Sequence, residues 1–279
     1  MSADEVGLHR AIIVAAGRGS RLGPKTEEIP KCMVPIAGRP ILHHQLDALA
    51  GAGVRDVVVV RGYRGTLIDG GRHPLRFVDN PEWERNNILA SLMYATHEMD
   101  SGFFFSYSDI VYAPEVATRL AQVAHAAHDD DSASAALVVD RRWSDAYVGR
   151  TLHPVPEAEL SAVSADGTRV TAVGKQVVPQ AEAAGEFIGL AWFSASGARA
   201  LREVWQQALA RDQGLEAPFG RARALRHAYL SDALNALAET GHRLAPVFID
   251  GLWREIDTGQ DLAAAEPIVG GFVGGLPTT

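Results

Sequence analysis

The stretch of this chain best suited to chemistry is Ala15-Ala16-Gly17-Arg18-Gly19-Ser20-Arg21-Leu22-Gly23. Glycines leave backbone N–H groups uncovered by any Cβ, so a loop of this kind can wrap a phosphate. The charges around it agree. Between positions 10 and 31 stand Arg10, Arg18, Arg21, Lys25 and Lys31 against Glu27 and Glu28, although the whole chain carries a formal charge of −8. A local cation cluster on an acidic protein suits a small anion. A nucleic acid or an anionic membrane asks for a broad cationic field and is excluded as a general partner. Magnesium on phosphates takes only one or two protein carboxylates, and Asp109 comes just past the apolar run 103–105, Asp257 just past the last strand of the chain, read over 254–256.

Strands and helices have to bring these groups together. Residues 11–16 are apolar and rich in β-branched side chains and end at Gly17, which reads as a buried strand feeding a glycine turn. A helix over 40–52, stopped by Gly51 and Gly53, then leads to a second buried strand at 57–60, the start of a βαβ unit. Further strands are predicted at 76–78, 103–105, 135–139, 187–193, 247–249 and 254–256, and helices at 87–98, 113–127, 195–210 and 229–240. From about 140 to 190 the apolar runs become short, and 160–163 and 169–173 flank Ala165-Asp166-Gly167-Thr168 as a hairpin. This segment reads as a small acceptor lobe inserted over the sheet.

The fold class expected is α/β, a three-layer sandwich with a mostly parallel Rossmann-like sheet. One catalytic domain spans 8–268, and 269–279 forms a flexible tail. With 279 residues, 47% of them hydrophobic, the chain can bury a sizeable core. Cys32, the single cysteine, reads as a small buried side chain. There is no secretory h-region and no apolar span of membrane length, so a cytoplasmic location is the default.

A dinucleotide fingerprint would open directly into a helix. Here the third glycine comes one position late, and Pro24, Pro30 and Pro35 prevent a continuous helix. That weakens an NAD-dependent dehydrogenase. With Pro30-Lys31 included, the chain resembles the nucleoside-triphosphate transferase family, which carries an A-A-G-x-G-x-R-L element followed by a Pro-Lys pair. The resemblance covers most of 8–268 and implies the nucleotide-diphospho-sugar transferase type of fold. It places Ala15, Ala16, Gly17, Gly19 and Ser20 on the nucleotide. It makes Arg21 and Lys31 the catalytic cations at the α-phosphate and the leaving pyrophosphate, and assigns Mg²⁺ to Asp109 and Asp257, the latter within a W-x-[ED]-I-D-[TN] element. Phosphoryl chemistry is mostly positioning and charge stabilisation, which such residues supply.

The Asn86-Asn87-Ile88-Leu89-Ala90-Ser91-Leu92 segment is similar to that of the CTP-using branch and adds Asn86, Asn87 and Ser91 to the nucleotide site. Read from the residues alone, the asparagines cap a helix, and Asn87 and Ser91 share one of its faces. The lobe resembles cytidylyltransferases of phosphonate metabolism. This implies CTP and a small anionic phosphonate or phosphomonoester as partners, with Asp109, Lys175, Glu186 and Asp232 at the acceptor, a solvated helix carboxylate being the alternative for Asp232. Arg141 and Arg142 suit its extra anionic oxygens by their charge, with plain surface charge as the alternative. Arg150 also suits extra anionic oxygens. Trp143, Trp192 and Trp253 would form an aromatic cage for a quaternary ammonium only if they converge; core packing is the alternative. Glu255 reads as a solvated residue. The expected reaction is in-line attack of an already ionised acceptor oxygen on the α-phosphorus, with no covalent intermediate. A sugar-1-phosphate nucleotidyltransferase and a phosphocholine cytidylyltransferase are the alternatives. An inactive nucleotide-binding regulator should have lost Arg21, Lys31, Asp109 or Asp257, and all four are present. A homodimer is left open.

Overall fold

The protein is described here from a computed structural model covering residues 8–130 and 132–273. Its organising strand is β1 (Arg10–Ala15), buried on both faces. It pairs in parallel with β4 (Asp56–Arg61) on one side and β6 (Phe103–Tyr107) on the other. The crossover from β1 to β4 runs through a small ribbon, β2 (Pro35–Ile36) with β3 (Arg39–Pro40), and then helix α1 (Ile41–Gly51). β5 (Arg76–Asp79) adds to β4, again in parallel. Strands enclosed in this way have no polar face, which is why they read as continuous apolar runs in the sequence.

The second half of the chain turns antiparallel. β11 (Gly185–Phe193) lies between β6 and β8 (Ala135–Asp140), antiparallel to both, and β12 (Leu244–Ile249) runs parallel to β8. β9 (Glu159–Val163) and β10 (Val170–Lys175) form the hairpin predicted from the Ala165–Thr168 turn. The hairpin does not stand over the sheet as expected. β9 pairs with Gly185 and Glu186 of β11, so the lobe extends the edge of the same nine-stranded sheet and keeps a small core of its own around Trp143, Tyr147 and Leu160. β11 changes its partner from β9 to β6 at Gly189, whose φ is +82° and where a Cβ would lie 2.1 Å from the Tyr107 ring. Only glycine permits that close a crossing.

Helices cover both faces. Ile13 and Ala11 of β1 face α1 and α3 (Pro114–Asp130), while Ile12 and Val14 face α2 (Ile88–Met93), α4 (Ala195–Leu209) and α5 (Leu230–Glu239). This is the three-layer sandwich expected. Each fully buried Ile or Leu at these contacts contributes roughly 1.5–3 kcal/mol. α2 is shorter than the helix predicted over 87–98. The chain leaves it after Met93 and makes a separate turn at Thr96–Glu98, which brings the Glu98 carboxylate to Arg76 and Arg10. The last helix, α6 (Gly259–Val273), takes in the first five residues assigned to the tail; 274–279 lie outside the described residues.

Candidate active site

The site begins where β1 ends. After Ala15 the chain enters the glycine loop, and a 3-10 turn over Ser20–Thr26 broken at Gly23 replaces the helix that a dinucleotide fold would start here. Gly19 sits at φ +69°, and a Cβ there would come within 2.7 Å of the Lys31 side chain. Lys31 therefore lies directly on the loop.

Two carboxylates separated widely in sequence meet at Lys31 through one small ribbon. β7 (Ile110–Tyr112) and β13 (Trp253–Glu255) are antiparallel, with Glu255 opposite Ile110. The next rung is the Ile256 N–H donating to the Asp109 carbonyl at 2.8 Å. Asp109, just before β7, is thereby set beside Asp257, just after β13. The Lys31 ammonium donates to Asp109 Oδ2 at 2.8 Å and to Asp257 Oδ1, and Arg21 donates to Asp257 Oδ2 at 2.7 Å. Burial works against the charge on Lys31, but the two carboxylates overcome it and raise its pKa. Burial likewise pushes Asp257 up, and Lys31, His153 and Arg21 outweigh it and hold it far below the usual carboxylate range. Three of the four charged residues expected at the centre thus pair through Asp257, and the fourth, Asp109, through Lys31.

These groups line a cleft of about 360 Å³. Ala16, Gly17, Gly19, Ser20, Asn86, Asn87 and Ser91 are on its wall; Ala15 is inside β1 and buried. Asn87 is the N-cap of α2, its Oδ1 accepting from the Ile88 N–H at 2.9 Å. Ser91 bonds to Asn80 and Asn86 rather than sharing a ligand-facing pair with Asn87.

A further wall comes from β9, β10, β11 and β13 and the turn Val155–Glu157 before β9, and holds Glu157, Glu159, Glu186 and Glu255 with Lys175. Lys175 lies 4.9 Å from the centre of the Tyr229 ring and donates to Glu157 at 2.9 Å. Glu186 accepts from the Tyr147 hydroxyl at 2.7 Å on Oε1, while its buried Oε2 has no donor. Burial, reinforced by Glu255, pushes the Glu186 carboxyl up to about 8. Glu255 is not solvated, in contrast to its reading from sequence. It faces the cleft, accepts from Arg150 at 3.1 Å, and burial together with Asp257 raises its pKa.

Three residues expected at the acceptor lie elsewhere. Arg141 pairs with Asp250 at 2.6 Å and Arg142 with Asp145 at 2.6 Å, both on the exposed surface away from the cleft lining. Charge alone does not tell a sequence reader which way an arginine faces, and acidic neighbours claim both. Asp232 is a structural cap: it accepts from the Tyr229 and Arg221 N–H groups, each at 2.9 Å. Arg150 is engaged with Asp261 and Glu255 and ties the lobe to α6. The tryptophans do not converge: Trp143 packs in the lobe core, Trp192 in the main core, and Trp253 alone of the three reaches the cleft.

His153 is assigned no role from the sequence. It is completely buried in a loop, 2.8 Å from Asp257 Oδ2 and 3.5 Å from Glu255. Donor atoms of His153, Glu255 and Asp257 lie within 4.8 Å of one another, a group able to hold a metal ion. Asp109 Oδ1, buried and without a donor, is a further oxygen of this kind. Cys32 is buried, and burial pushes its thiol up to about 12, which makes it a poor nucleophile. No helix among the described residues is long and apolar enough to cross a membrane.

Residues 11–225 match the MobA-like NTP transferase domain, and the chain belongs to that family of nucleotidyltransferases. It is 28% identical to the CTP:phosphoglutamine cytidylyltransferase of Campylobacter jejuni over 90% of this chain and 97% of that one. It is 41% identical to the CMP-5'-(3-aminopropyl)phosphonate synthase of Streptomyces rubellomurinus over 40% of this chain, but spans only 19% of that longer protein. In fold it is similar to the inositol-1-phosphate CTP transferase from T. maritima, with a TM-score of 0.70, 21% identity, and coverage of 98% of this chain and 99% of that one.

Proposed function

We propose that this chain is a cytidylyltransferase. It would join CTP to a small phosphonate or phosphomonoester that also carries an amine, giving a CMP-linked product and pyrophosphate. The observation that carries the transferase reading is Lys31, seated on the glycine loop and held between Asp109 and Asp257. The cytidylyltransferase relatives support CTP as the nucleotide. For the acceptor, four glutamates against one lysine make the lobe wall acidic. Burial raises the pKa of Glu159, Glu186 and Glu255. A cation bound among them would favour their ionised forms, whereas a purely anionic acceptor would find only Lys175 on this wall. An aminoalkyl phosphonate or phosphate would put its phosphoryl end at Lys175 and its ammonium at Glu186, whose Oε2 lacks a donor.

In this mechanism the loop N–H groups and Ser20 hold the triphosphate, and Lys31 and Arg21 balance charge around the α-phosphorus and the departing pyrophosphate. Lys175 and the glutamates aim the acceptor. One acceptor oxygen forms a bond to the α-phosphorus as the bond to the β-phosphate breaks. That oxygen is ionised near neutral pH, so no general base is required. Asp109 and Asp257 would hold Mg²⁺, with His153 and Glu255 beside them; when bound, the ion neutralises phosphate charge and aligns the reacting oxygens. The donor set fits, since Asp109 Oδ1 is buried without a donor.

The test is pyrophosphate release with each NTP, crossed with 2-aminoethylphosphonate, phosphocholine, a carboxy-phosphonate and glucose-1-phosphate, with and without Mg²⁺. Turnover of CTP with an amine-bearing acceptor is expected. Release confined to UTP with glucose-1-phosphate would make the chain a sugar-1-phosphate transferase, and no release with any pair would sink the transferase reading.

A further inference from the structure

Asn80, outside the cleft lining and 1% exposed, belongs to a closed network of side-chain hydrogen bonds behind the nucleotide wall. A backbone N–H can only donate, and that of Glu82 reaches Asn80 Oδ1 at 3.0 Å. This contact fixes which end of the Asn80 amide is oxygen. Its Nδ2 is then the donor to both Asn86 Oδ1 and Ser91 Oγ, each at 3.0 Å. Ser91 Oγ passes its own hydrogen to Asn86 Oδ1 at 3.0 Å. Asn86 Nδ2 returns one hydrogen to Asn80 Oδ1 at 3.2 Å. Both lone-pair positions on Asn86 Oδ1 are filled, so the oxygen is turned away from any ligand. What Asn86 has left to offer the cleft is its second N–H.

We infer that Asn80 is a positioning residue for base selection: it locks the Asn86 amide so that an N–H, not a C=O, faces the nucleobase. The inference rests on the proposed use of CTP. Cytosine presents two adjacent acceptors, O2 and an N3 lone pair. Uracil carries a hydrogen on N3. A fixed donor aimed at N3 therefore accepts cytosine and meets uracil hydrogen to hydrogen, whereas an amide free to flip satisfies either base. A site built around one fixed hydrogen-bonding group discriminates because the wrong partner leaves that group unpaired.

The experiment compares kcat/KM for CTP and UTP, and their binding by calorimetry, in the wild type, Asn80→Ala and Ser91→Ala. In the Asn80→Ala protein the CTP-to-UTP ratio is expected to fall about tenfold, mostly through loss with CTP, the size of one hydrogen bond. Ser91→Ala, which removes one of the two donors to Asn86 Oδ1 at little cost in packing, is expected to move the ratio the same way by a smaller factor, and serves if Asn80→Ala does not fold. A merely structural role would lower both nucleotides together and leave the ratio unchanged. An unchanged ratio in a wild-type-like fold overturns the positioning role while CTP use stands. A wild type that does not prefer CTP over UTP overturns the nucleotide reading and this inference with it.

Discussion

Gly19→Ala is the sharpest probe of the loop, because its cost has two separable sources. At φ +69° an alanine is in the left-handed region, which costs about 1–2 kcal/mol for an L-residue. Its Cβ would also lie 2.7, 2.8 and 2.9 Å from three carbons of Lys31. Ordinary carbon contacts need about 3.5–4.0 Å, so Lys31 has to retreat by about 1 Å. It cannot do so freely, since its ammonium is bound to Asp109 and Asp257. Overpacking of this kind costs about 1–3 kcal/mol. Together these give a loss of about 2–5 kcal/mol, read as a fall of roughly 5–15 °C in thermal midpoint. A 1 Å displacement of a charge-stabilising group lowers kcat by about 10²-fold. The control is Gly17→Ala: a Cβ there meets nothing within 4 Å, so the fold keeps its stability, while the methyl intrudes where the nucleotide is bound and raises the KM for CTP. Thermal denaturation and pyrophosphate-release kinetics on both variants are the assay. Equal stability losses in the two proteins, or near wild-type kcat in Gly19→Ala, would refute the reasoning.

Asp109→Ala removes a carboxylate that both holds Lys31 and would hold the metal, and kcat is expected to fall about 10²–10³-fold; full activity in this variant would cancel the assignment. Asp232→Ala should cost about 1 kcal/mol through loss of the α5 cap and, like Arg141→Ala, leave the acceptor KM within twofold, as denaturant titration and kinetics will show. Glu186, raised from its ordinary 4.5 to about 8 by burial and Glu255, binds its proton more tightly in the folded state. Its contribution is present in full below pH 4.5 and is lost as pH rises toward 8. Glu186→Gln should therefore gain stability relative to wild type across that window, on the order of a few kcal/mol at its upper end; a gap between the two proteins that does not change with pH counts against the buried, protonated carboxyl.

Most of the scaffold was readable because buried parallel strands are apolar along their whole length, and the glycine loop and Asp109 follow such runs, whereas Asp257 follows β13, a short antiparallel strand of mixed polarity. Glu255 was misread although its signal was present. Alternation along a strand puts Trp253, Glu255 and Asp257 on one side, and all three line the cleft. His153 had no comparable pattern, since a loop residue buried by distant segments leaves no local trace. Arg141 and Arg142 were misplaced because their acidic neighbours Asp250 and Asp145, one of them far along the chain, decide their direction.

The ribbon of β7 and β13 also has a consequence for synthesis. Lys31 and Arg21 emerge from the ribosome early, yet the carboxylate they share is 226 and 236 residues further on. The glycine loop, α1 and the first parallel strands are all synthesised while Asp257 is still unmade. Such a nascent chain carries Lys31 and Arg21 without the carboxylate they share. The charge arrangement around Lys31 is complete only when the last strand closes against β7 and sets Asp257 beside Asp109.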